Sequence, residues 1–151
     1  MCFMPFLATK TAPQLVPRDQ FPPYVALQPL GPDQLIIASK FSLPHHAYIH
    51  LASGCGCYLR HLVMWPYIPT TDGFKPDTDS DHDLASTQPN HDALAAYLRQ
   101  HFLPDGSVQF FGCWADSFAA PVYESVRLPL DAIRHPDFHF HAGARYRLLL
   151  S

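Results

Sequence analysis

The sequence predicts an α+β fold in which a largely antiparallel sheet of short strands carries one principal helix. Sixteen prolines break the chain into short pieces, so long helices and coiled coils are excluded. Apolar residues repeat clearly at helical spacing in one stretch, over about residues 91–102. Elsewhere, β-branched and aromatic residues form short runs bounded by proline and glycine, which is typical of strands.

The first half of the chain is predicted to be mostly β-structure. Phe3 to Thr9 is predicted to form an opening strand at a sheet edge, because Pro5 has no N–H to donate to a neighbouring strand. A proline-rich surface segment follows. Three further short strands are predicted at residues 24–27, 34–38 and 47–52.

A long loop and the principal helix come next. Between residues 66 and 89 the apolar period disappears and Asp, Thr, Ser, Gly and Pro dominate, which predicts a flexible loop. Asn90 is the predicted N-cap of the helix. With 48% hydrophobic residues, the chain is predicted to form a single globular domain over residues 1–151 that needs no metal or disulfide to fold.

The C-terminal third is predicted to add strands. Residues 108–114 and 122–128 are expected to pair with each other. From residue 137 to 150, aromatic and aliphatic residues keep one phase of a two-residue period, while Asp, His and Arg keep the other. This pattern indicates a half-exposed strand or hairpin.

Charge and hydropathy exclude several classes of function. The formal net charge of −3 and the pI near 6.3 give none of the positive field that a nucleic-acid partner requires. The apolar run at the amino terminus has no preceding basic residue and is far too short to span a bilayer, so no membrane partner is expected. We therefore expect a cytoplasmic protein with reduced thiols.

The run Ser53-Gly54-Cys55-Gly56-Cys57 contains the strongest chemical signal. Two thiols one residue apart form a two-pronged sulfur donor, and the adjoining glycines let the backbone wrap closely around a ligand. Oxidation of this pair to each other would close a small strained ring, which argues against a structural disulfide. The same run also fits a tight turn in which two small apolar side chains point inward.

Cys55 and Cys57 are the predicted centre of a binding site for zinc or another transition metal, or of a thiol-based site. Cys2 and Cys113 lie in or beside predicted strands and are candidate partners, as is His61. Four-thiolate zinc sites usually contain two cysteine pairs, each with roughly two to four intervening residues. This chain has one pair with a single intervening residue and two lone cysteines, so mixed ligands and purely structural cysteines remain alternatives.

Histidines provide secondary candidate ligands. His139 and His141 lie two residues apart on a predicted strand, so their rings are expected on the same face. Neutral imidazole is a good ligand for zinc, copper or nickel. An ordinary amphipathic strand with one solvated face explains the same alternation.

Enzymatic activity is not favoured. The sequence has no Gly-x-Ser-x-Gly elbow, phosphate-binding glycine loop or dinucleotide fingerprint. Cys57 with His61, or Cys2 after loss of Met1, would support thiolate chemistry, but neither has a recognisable triad. Alternate aspartates between residues 77 and 83 are similar to the start of a calcium loop, but the required glycine and glutamate are missing.

A non-catalytic interaction module is the competing hypothesis. In that case Trp65, Tyr67, Phe74 and the acidic loop would form a docking surface for a protein partner, and the cysteines would be structural. The positions of the sulfur atoms discriminate between the two hypotheses, because a metal site requires the sulfurs to face one point.

Three short motifs resemble those of a family of small bacterial proteins. They are the Met1-Cys2 start, the central Gly54-Cys55-Gly56-Cys57 run and Cys113-Trp114 on a late predicted strand. The resemblance spans most of the chain and implies a bacterial, cytosolic setting. It also implies that the thiols belong to one shared feature, and it carries no established activity.

Overall fold

The computed structural model describes residues 2–63, 75–76 and 83–151. The strands in these residues, numbered in chain order, are β1 Phe3–Thr9, β2 Ala26–Gln28, β3 His45–His50, β4 His61–Val63, β5 Lys75–Pro76, β6 Ser107–Trp114, β7 Glu124–Pro129, β8 Phe140–His141 and β9 Ala144–Leu149. The helix α1 spans Leu84–Phe102, and 3₁₀ helices span Pro32–Lys40, Gly56–Tyr58, Leu103–Asp105 and Leu130–Arg134. The predicted α+β class with one principal helix is confirmed.

Six strands form the main sheet in the order β2-β3-β1-β6-β9-β7, and β5, β4 and β8 form a second, small sheet. Neighbours in the main sheet are antiparallel, except that β7 runs parallel to β9. The predicted pairing of residues 108–114 with 122–128 is wrong, because β9 lies between β6 and β7. The apolar phase of β9, with Tyr146 and Leu148 buried, suits this inner position.

One face of the main sheet, here called the helix face, packs against α1. Leu7 of β1, Phe110 of β6 and Tyr146 of β9 point to this face, and they form the principal core with Leu94 and Leu98 of α1. Because side chains alternate along a strand, the residues between them point to the opposite face.

The opposite face, here called the 3₁₀ face, is covered in part by the 3₁₀ helix Pro32–Lys40. Ile37 of this helix packs with Phe6 and Phe111 in a second cluster. The predicted strand at residues 34–38 is therefore wrong. The fixed φ of Pro32 suits the first turn of a helix, and the backbone N–H of the preceding glycine donates to the side chain of Gln34 at 2.9 Å.

The helix α1 begins at Leu84, well before the predicted start at about residue 91. Its N-cap is Asp83 and not Asn90, because the Asp83 carboxylate accepts a hydrogen bond from the N–H of Ser86 at 2.9 Å. Residues 84–89 of the predicted loop are thus helical, and Lys75–Pro76 form β5. The loop residues 66–74 and 77–82 lie outside the described part of the chain.

Pro89 lies inside α1, where it removes one backbone hydrogen bond. The guanidinium group of Arg60 donates hydrogen bonds to the side chains of Thr87 and Gln88, at 3.2 and 3.1 Å. These contacts fasten the residues just before the proline to the chain that follows the cysteine turn. In the described residues, no helix combines the length and apolar character needed to cross a membrane.

The strand β1 lies inside the main sheet, so the prediction that Pro5 marks an edge strand is wrong. Its neighbour β3 pairs only with Phe6 to Thr9, whereas β6 pairs with residues 3–8. The side of Pro5 that lacks an N–H faces the turn around Gly56, where an added Cβ would lie 2.5 Å from the Pro5 Cδ. Proline therefore ends the pairing with β3 and leaves room for the cysteine-containing turn beside the start of β1.

Candidate metal centre

Three of the four cysteines meet where β1 begins. The Sγ atoms of Cys2, Cys55 and Cys57 all lie within 4.8 Å of one another, and among the described residues this is the group with metal-binding geometry. Three thiolates on a tetrahedral zinc ion, with Zn–S bonds of about 2.3 Å, stand about 3.8 Å apart. The cluster therefore needs to contract by about 1 Å at most to hold an ion.

The turn that carries Cys55 and Cys57 depends on two glycines. Gly54 has a φ of 80°, in the left-handed region that strains residues with a side chain, and its N–H donates to the carbonyl of Leu51 at 2.8 Å. Gly56 lies directly against β1, since an added Cβ would be 2.2 Å from the carbonyl oxygen of Phe3. The first glycine turns the chain and the second allows the close approach that brings both thiols to β1.

Two backbone N–H groups point at the sulfur atoms. The N–H of Phe3 donates to the Sγ of Cys57 at 3.4 Å, and the N–H of Cys57 donates to the Sγ of Cys55 at 3.3 Å. Hydrogen bonds of this kind favour the charged thiolate over the neutral thiol, and they tune thiolates that bind metal ions. The turn thus supplies both the sulfur donors and part of their electrostatic support.

The three thiols differ in their exposure. Cys2 is exposed, whereas Cys55 and Cys57 are half-buried. Burial raises the pKa of the Cys55 thiol, against the lowering effect of the hydrogen bond from the Cys57 N–H. The raised pKa favours the neutral thiol, whose proton a binding cation would have to displace. The carbonyl of Cys2 accepts a hydrogen bond from the N–H of Ala115 at 3.0 Å, which ties the exposed residue to the end of β6.

The structure does not bring Cys113 into this group. Cys113 packs with Ile37 and Phe111 on the 3₁₀ face, whereas Cys57 packs against the core of the helix face. Alternation along β6 explains the separation, because Cys113 and the neighbouring Trp114 point to opposite faces. Burial raises the pKa of Cys113 to about 12, so this thiol behaves as a small buried apolar group.

His61 also lies outside the group of ligand atoms. Its Nδ1 is 2.7 Å from the carbonyl oxygen of Leu59, and its ring stacks on Phe3 with the ring centroids 4.4 Å apart. The edge of Trp114 completes this aromatic contact, at a centroid distance of 5.4 Å. The imidazole is therefore part of the packing beneath the start of β1.

His139 and His141 do not form a metal-binding group in the described part of the chain. The Nδ1 of His139 is 3.0 Å from the backbone carbonyl oxygen of Asp137, and the Nδ1 of His141 is 3.5 Å from a carboxylate oxygen of Glu124. His141 belongs to β8 and His139 precedes that strand. Phe138 and Phe140, which alternate with the two histidines, both pack against the core of the helix face, as the predicted alternation requires.

The residues of the predicted docking surface, Trp65, Tyr67 and Phe74, lie outside the described residues. The interaction module accordingly stays a prediction. Three of the four aspartates that are similar to a calcium loop also lie outside the described residues, and the fourth, Asp83, caps α1.

One side chain that no sequence pattern indicates fixes the chain just after the cysteine turn. Arg60 is buried, and its guanidinium donates to the carbonyl oxygens of Phe138 and His135, both at 2.9 Å. A single buried arginine leaves no periodic signal in a sequence. The hydrogen bond from the N–H of Phe3 to Cys57 could not be predicted either. Every residue except proline carries a backbone N–H, so the sequence does not mark which of them will reach a sulfur atom.

Comparison with known proteins does not assign a family. No protein-family model, curated protein or solved structure matches the chain. The resemblance to small bacterial proteins therefore rests on its three motifs, two of which, Met1-Cys2 and Gly54-Cys55-Gly56-Cys57, contribute to the thiol cluster. The class of protein that the fold and site define is an α+β domain with three clustered thiols that could hold a metal ion.

Proposed function

We propose that this protein binds one transition-metal ion of the zinc type through the thiolates of Cys2, Cys55 and Cys57. The proposal is supported by the approach of the three Sγ atoms to within 4.8 Å of one another. The two N–H groups that donate to Cys55 and Cys57 add electrostatic support for bound thiolates. Thiolate ligands select soft or borderline ions such as Zn²⁺ and Cu⁺ over Mg²⁺ and Ca²⁺.

Three thiolates leave one position of a tetrahedral ion for another ligand. Structural zinc sites are normally closed by about four protein ligands, whereas sites with three keep a position for water or an exogenous ligand. The exposure of Cys2 makes the ion accessible from solvent. This donor set therefore fits an accessible, exchangeable metal better than an ion that only supports the fold.

Metal binding should depend on pH, because the thiols lose their protons when the ion binds. Burial raises the pKa of Cys55, so protons compete with the metal throughout the neutral range. The apparent affinity for zinc is thus expected to increase as pH rises from 6 towards the pKa of this thiol.

The test is a competitive zinc titration of protein purified without chelators or an affinity tag, followed by titration with Co²⁺. We expect about one equivalent of metal and a sulfur-to-cobalt charge-transfer band. Cys55→Ser should weaken zinc binding by more than about tenfold, because a neutral hydroxyl replaces a thiolate. Cys113→Ala is the matched control, since it removes a thiol on the other face of the sheet, and it should leave the affinity unchanged within about twofold.

The proposal would be contradicted if Cys55→Ser bound zinc as tightly as the unmodified protein. It would also be contradicted if Cys113→Ala lost as much zinc affinity as Cys55→Ser. Failure to bind metal together with rapidly reacting native thiols would indicate thiol chemistry at the same cluster. Failure to bind metal with inert thiols would leave the interaction module as the remaining hypothesis.

A further inference from the structure

A groove on the 3₁₀ face, separate from the cysteine cluster, is lined by arginines. It has a volume of about 290 Å³ and lies where β7 and β9 run side by side. Its polar lining residues are Ser42, Gln109, Ser125, Arg127, Arg145 and Arg147. Tyr146 and Val126, which alternate with the arginines along the strands, pack against the core of the helix face. The arginines therefore point to the 3₁₀ face.

Two of these arginines lie side by side on neighbouring strands, on the same face of the sheet. Arg127 of β7 and Arg147 of β9 are direct partners in the parallel ladder. Neighbouring strands are about 4.8 Å apart, and like charges placed directly opposite each other destabilise a sheet. The protein as a whole carries a net charge of −3, so this concentration of positive charge does not follow from composition.

Unlike some other arginines of the chain, the arginines of the groove form no ion pair with a carboxylate among the described residues. Arg99 and Arg134 form ion pairs with Asp131 and Asp92. In the described part of the chain, no carboxylate oxygen lies within 4.0 Å of the guanidinium groups of the three groove arginines. The positive charge of the groove is therefore not neutralised by neighbouring described side chains.

The other polar groups of the groove are arranged as donors. The Oε1 of Gln109 accepts from the N–H groups of Ser42 and Leu43, and its Nε2 donates to the Oγ of Ser42 at 2.7 Å. Arg145 donates to the Oγ of Ser125 at 3.1 Å. Because both serine oxygens already accept a hydrogen bond, their own hydrogens remain to be donated to another acceptor. The described groove thus presents hydroxyl and guanidinium hydrogens together.

Arg145 is held in position before any ligand binds. One of its guanidinium nitrogens donates to the carbonyl oxygen of Lys40 at 3.1 Å, and the other donates to Ser125. Its side chain is half-buried, whereas Arg127 and Arg147 are exposed. A ligand would therefore meet one fixed cation beside a pair of exposed ones, which lowers the entropic cost of binding.

We propose that this groove binds a small anion that carries a phosphate group. A phosphate monoester presents acceptor oxygens at a charge of about −1.5 to −2, and guanidinium groups bind such oxygens in pairs. A volume of about 290 Å³ lies near the lower limit for small-molecule sites, so it accommodates a phosphate with a small organic group. The proposal is independent of the metal centre, because it shares no residue with the thiol cluster.

Isothermal titration calorimetry at constant ionic strength tests the proposal, with inorganic phosphate and ribose 5-phosphate as separate probes. We expect saturable binding of one ion per chain. Arg147→Gln and Arg127→Gln should each weaken binding by about tenfold or more. Arg99→Gln is the matched control, because it removes the same charge from a partly exposed arginine on α1, and it should leave the affinity unchanged.

Thermal unfolding provides a second readout of the same variants. Arg147→Gln should unfold at the same temperature as the unmodified protein or above it, because it removes one of two facing like charges. Phosphate should raise the unfolding temperature of the unmodified protein more than that of Arg147→Gln. The proposal would be overturned if Arg99→Gln weakened binding as much as Arg147→Gln, or if the heats did not saturate with either probe.

The two probes also distinguish the source of the phosphate group. Tighter binding of ribose 5-phosphate would identify an organic phosphate as the ligand, and equal binding of both probes would identify free phosphate.

Discussion

At the scale of single residues, the thiol cluster depends on the missing side chain of Gly56 and the missing N–H of Pro5. Gly56 has no side chain and therefore lies against the carbonyl of Phe3. Pro5 has no N–H, so it cannot extend the pairing of β1 with β3. The absence of a Cβ at one position and of a donor at the other creates the space in which Cys55 and Cys57 approach Cys2.

Gly56→Ala is expected to destabilise the fold and separate the thiols. The added Cβ would lie 2.2 Å from a backbone oxygen of β1, which cannot yield without moving the strand. We expect the free energy of unfolding to fall by about 2 kcal/mol, as is typical of overpacking. Gly54→Ala is the control, because its Cβ meets nothing within 4 Å and only the positive φ costs about 1 kcal/mol. Urea denaturation measures both variants, and equal losses would argue against the close approach at Gly56.

The thiols should differ in reactivity in the folded protein. Burial raises the pKa of Cys113 to about 12, so only about 10⁻⁴ of it is thiolate at pH 8, and the buried sulfur is also shielded from reagents. Cys2 is exposed and should react first. We expect a titration with a disulfide reagent to leave one thiol unreacted until denaturant is added. Cys113→Ala should abolish that slow thiol without changing the fast reaction, and a fast reaction at Cys113 would contradict the packing described for β6.

At the scale of elements, one buried imidazole joins α1 to two other segments. The Nδ1 of His91 donates to the carbonyl oxygen of Ile133 at 2.7 Å, and its Nε2 accepts from the N–H of Arg60 at 2.9 Å. The ring also stacks on Phe140, with the centroids 5.6 Å apart. Because Nε2 must accept, only the neutral ring satisfies both hydrogen bonds. The helix is thereby linked to the chain that follows the cysteine turn.

Stability should therefore decrease in mild acid. Burial lowers the pKa of His91 from 6.5 to about 3, so the unfolded chain takes up a proton that the folded protein excludes. The stabilisation is present above pH 6.5 and is lost as the pH falls towards 3, with a slope of up to about 1.4 kcal/mol per pH unit. His91→Gln should reduce this slope in urea denaturation at pH 7, 6 and 5. His101→Gln, on an exposed position of the same helix, should retain it, and equal slopes in the two variants would refute the assignment.

At the scale of the whole molecule, we expect packing on both sheet faces to keep the protein folded without a metal ion. Phe110 on the helix face and Phe6 on the 3₁₀ face are fully buried. A domain of 151 residues buries roughly 68–70% of its unfolded surface, which is sufficient for a stable core. A bound ion would then stabilise the native state by linkage and would not be required for folding.

Zinc should accordingly raise the unfolding temperature of a protein that is already folded. At a free zinc concentration of about 100 times Kd, linkage adds about 2.7 kcal/mol, which corresponds to roughly 5–10 °C for a domain of this size. A chelator should reverse the shift and leave the circular dichroism spectrum folded. Cys55→Ser serves as the control and should show a clearly smaller shift, because a tenfold weaker affinity reduces the linkage contribution to about 1.4 kcal/mol or less. Loss of the folded spectrum on chelation would contradict the separation of core and metal centre.

Local periodicity was sufficient to predict the fold class and several elements. The bounds of β1 and the buried phase of β9 follow from alternation over a few residues, and the stripe of α1 follows from helical spacing. The spacing of Cys55 and Cys57 likewise predicted two of the three thiols of the cluster. The start of α1 was predicted too late because residues 84–89 show no apolar period, whereas Arg60, distant in sequence, donates hydrogen bonds to Thr87 and Gln88 within that first part of the helix.

Pairing between segments far apart in the chain decides which thiols come together and which arginines become neighbours. Cys2 joins Cys57 because the cysteine turn lies along β1, and Cys113 is turned away by the alternation of β6. Arg127 faces Arg147 only because β9 lies between β6 and β7. Such pairings result from competition among all strands for partners and for buried surface, so no local pattern of residues encodes them.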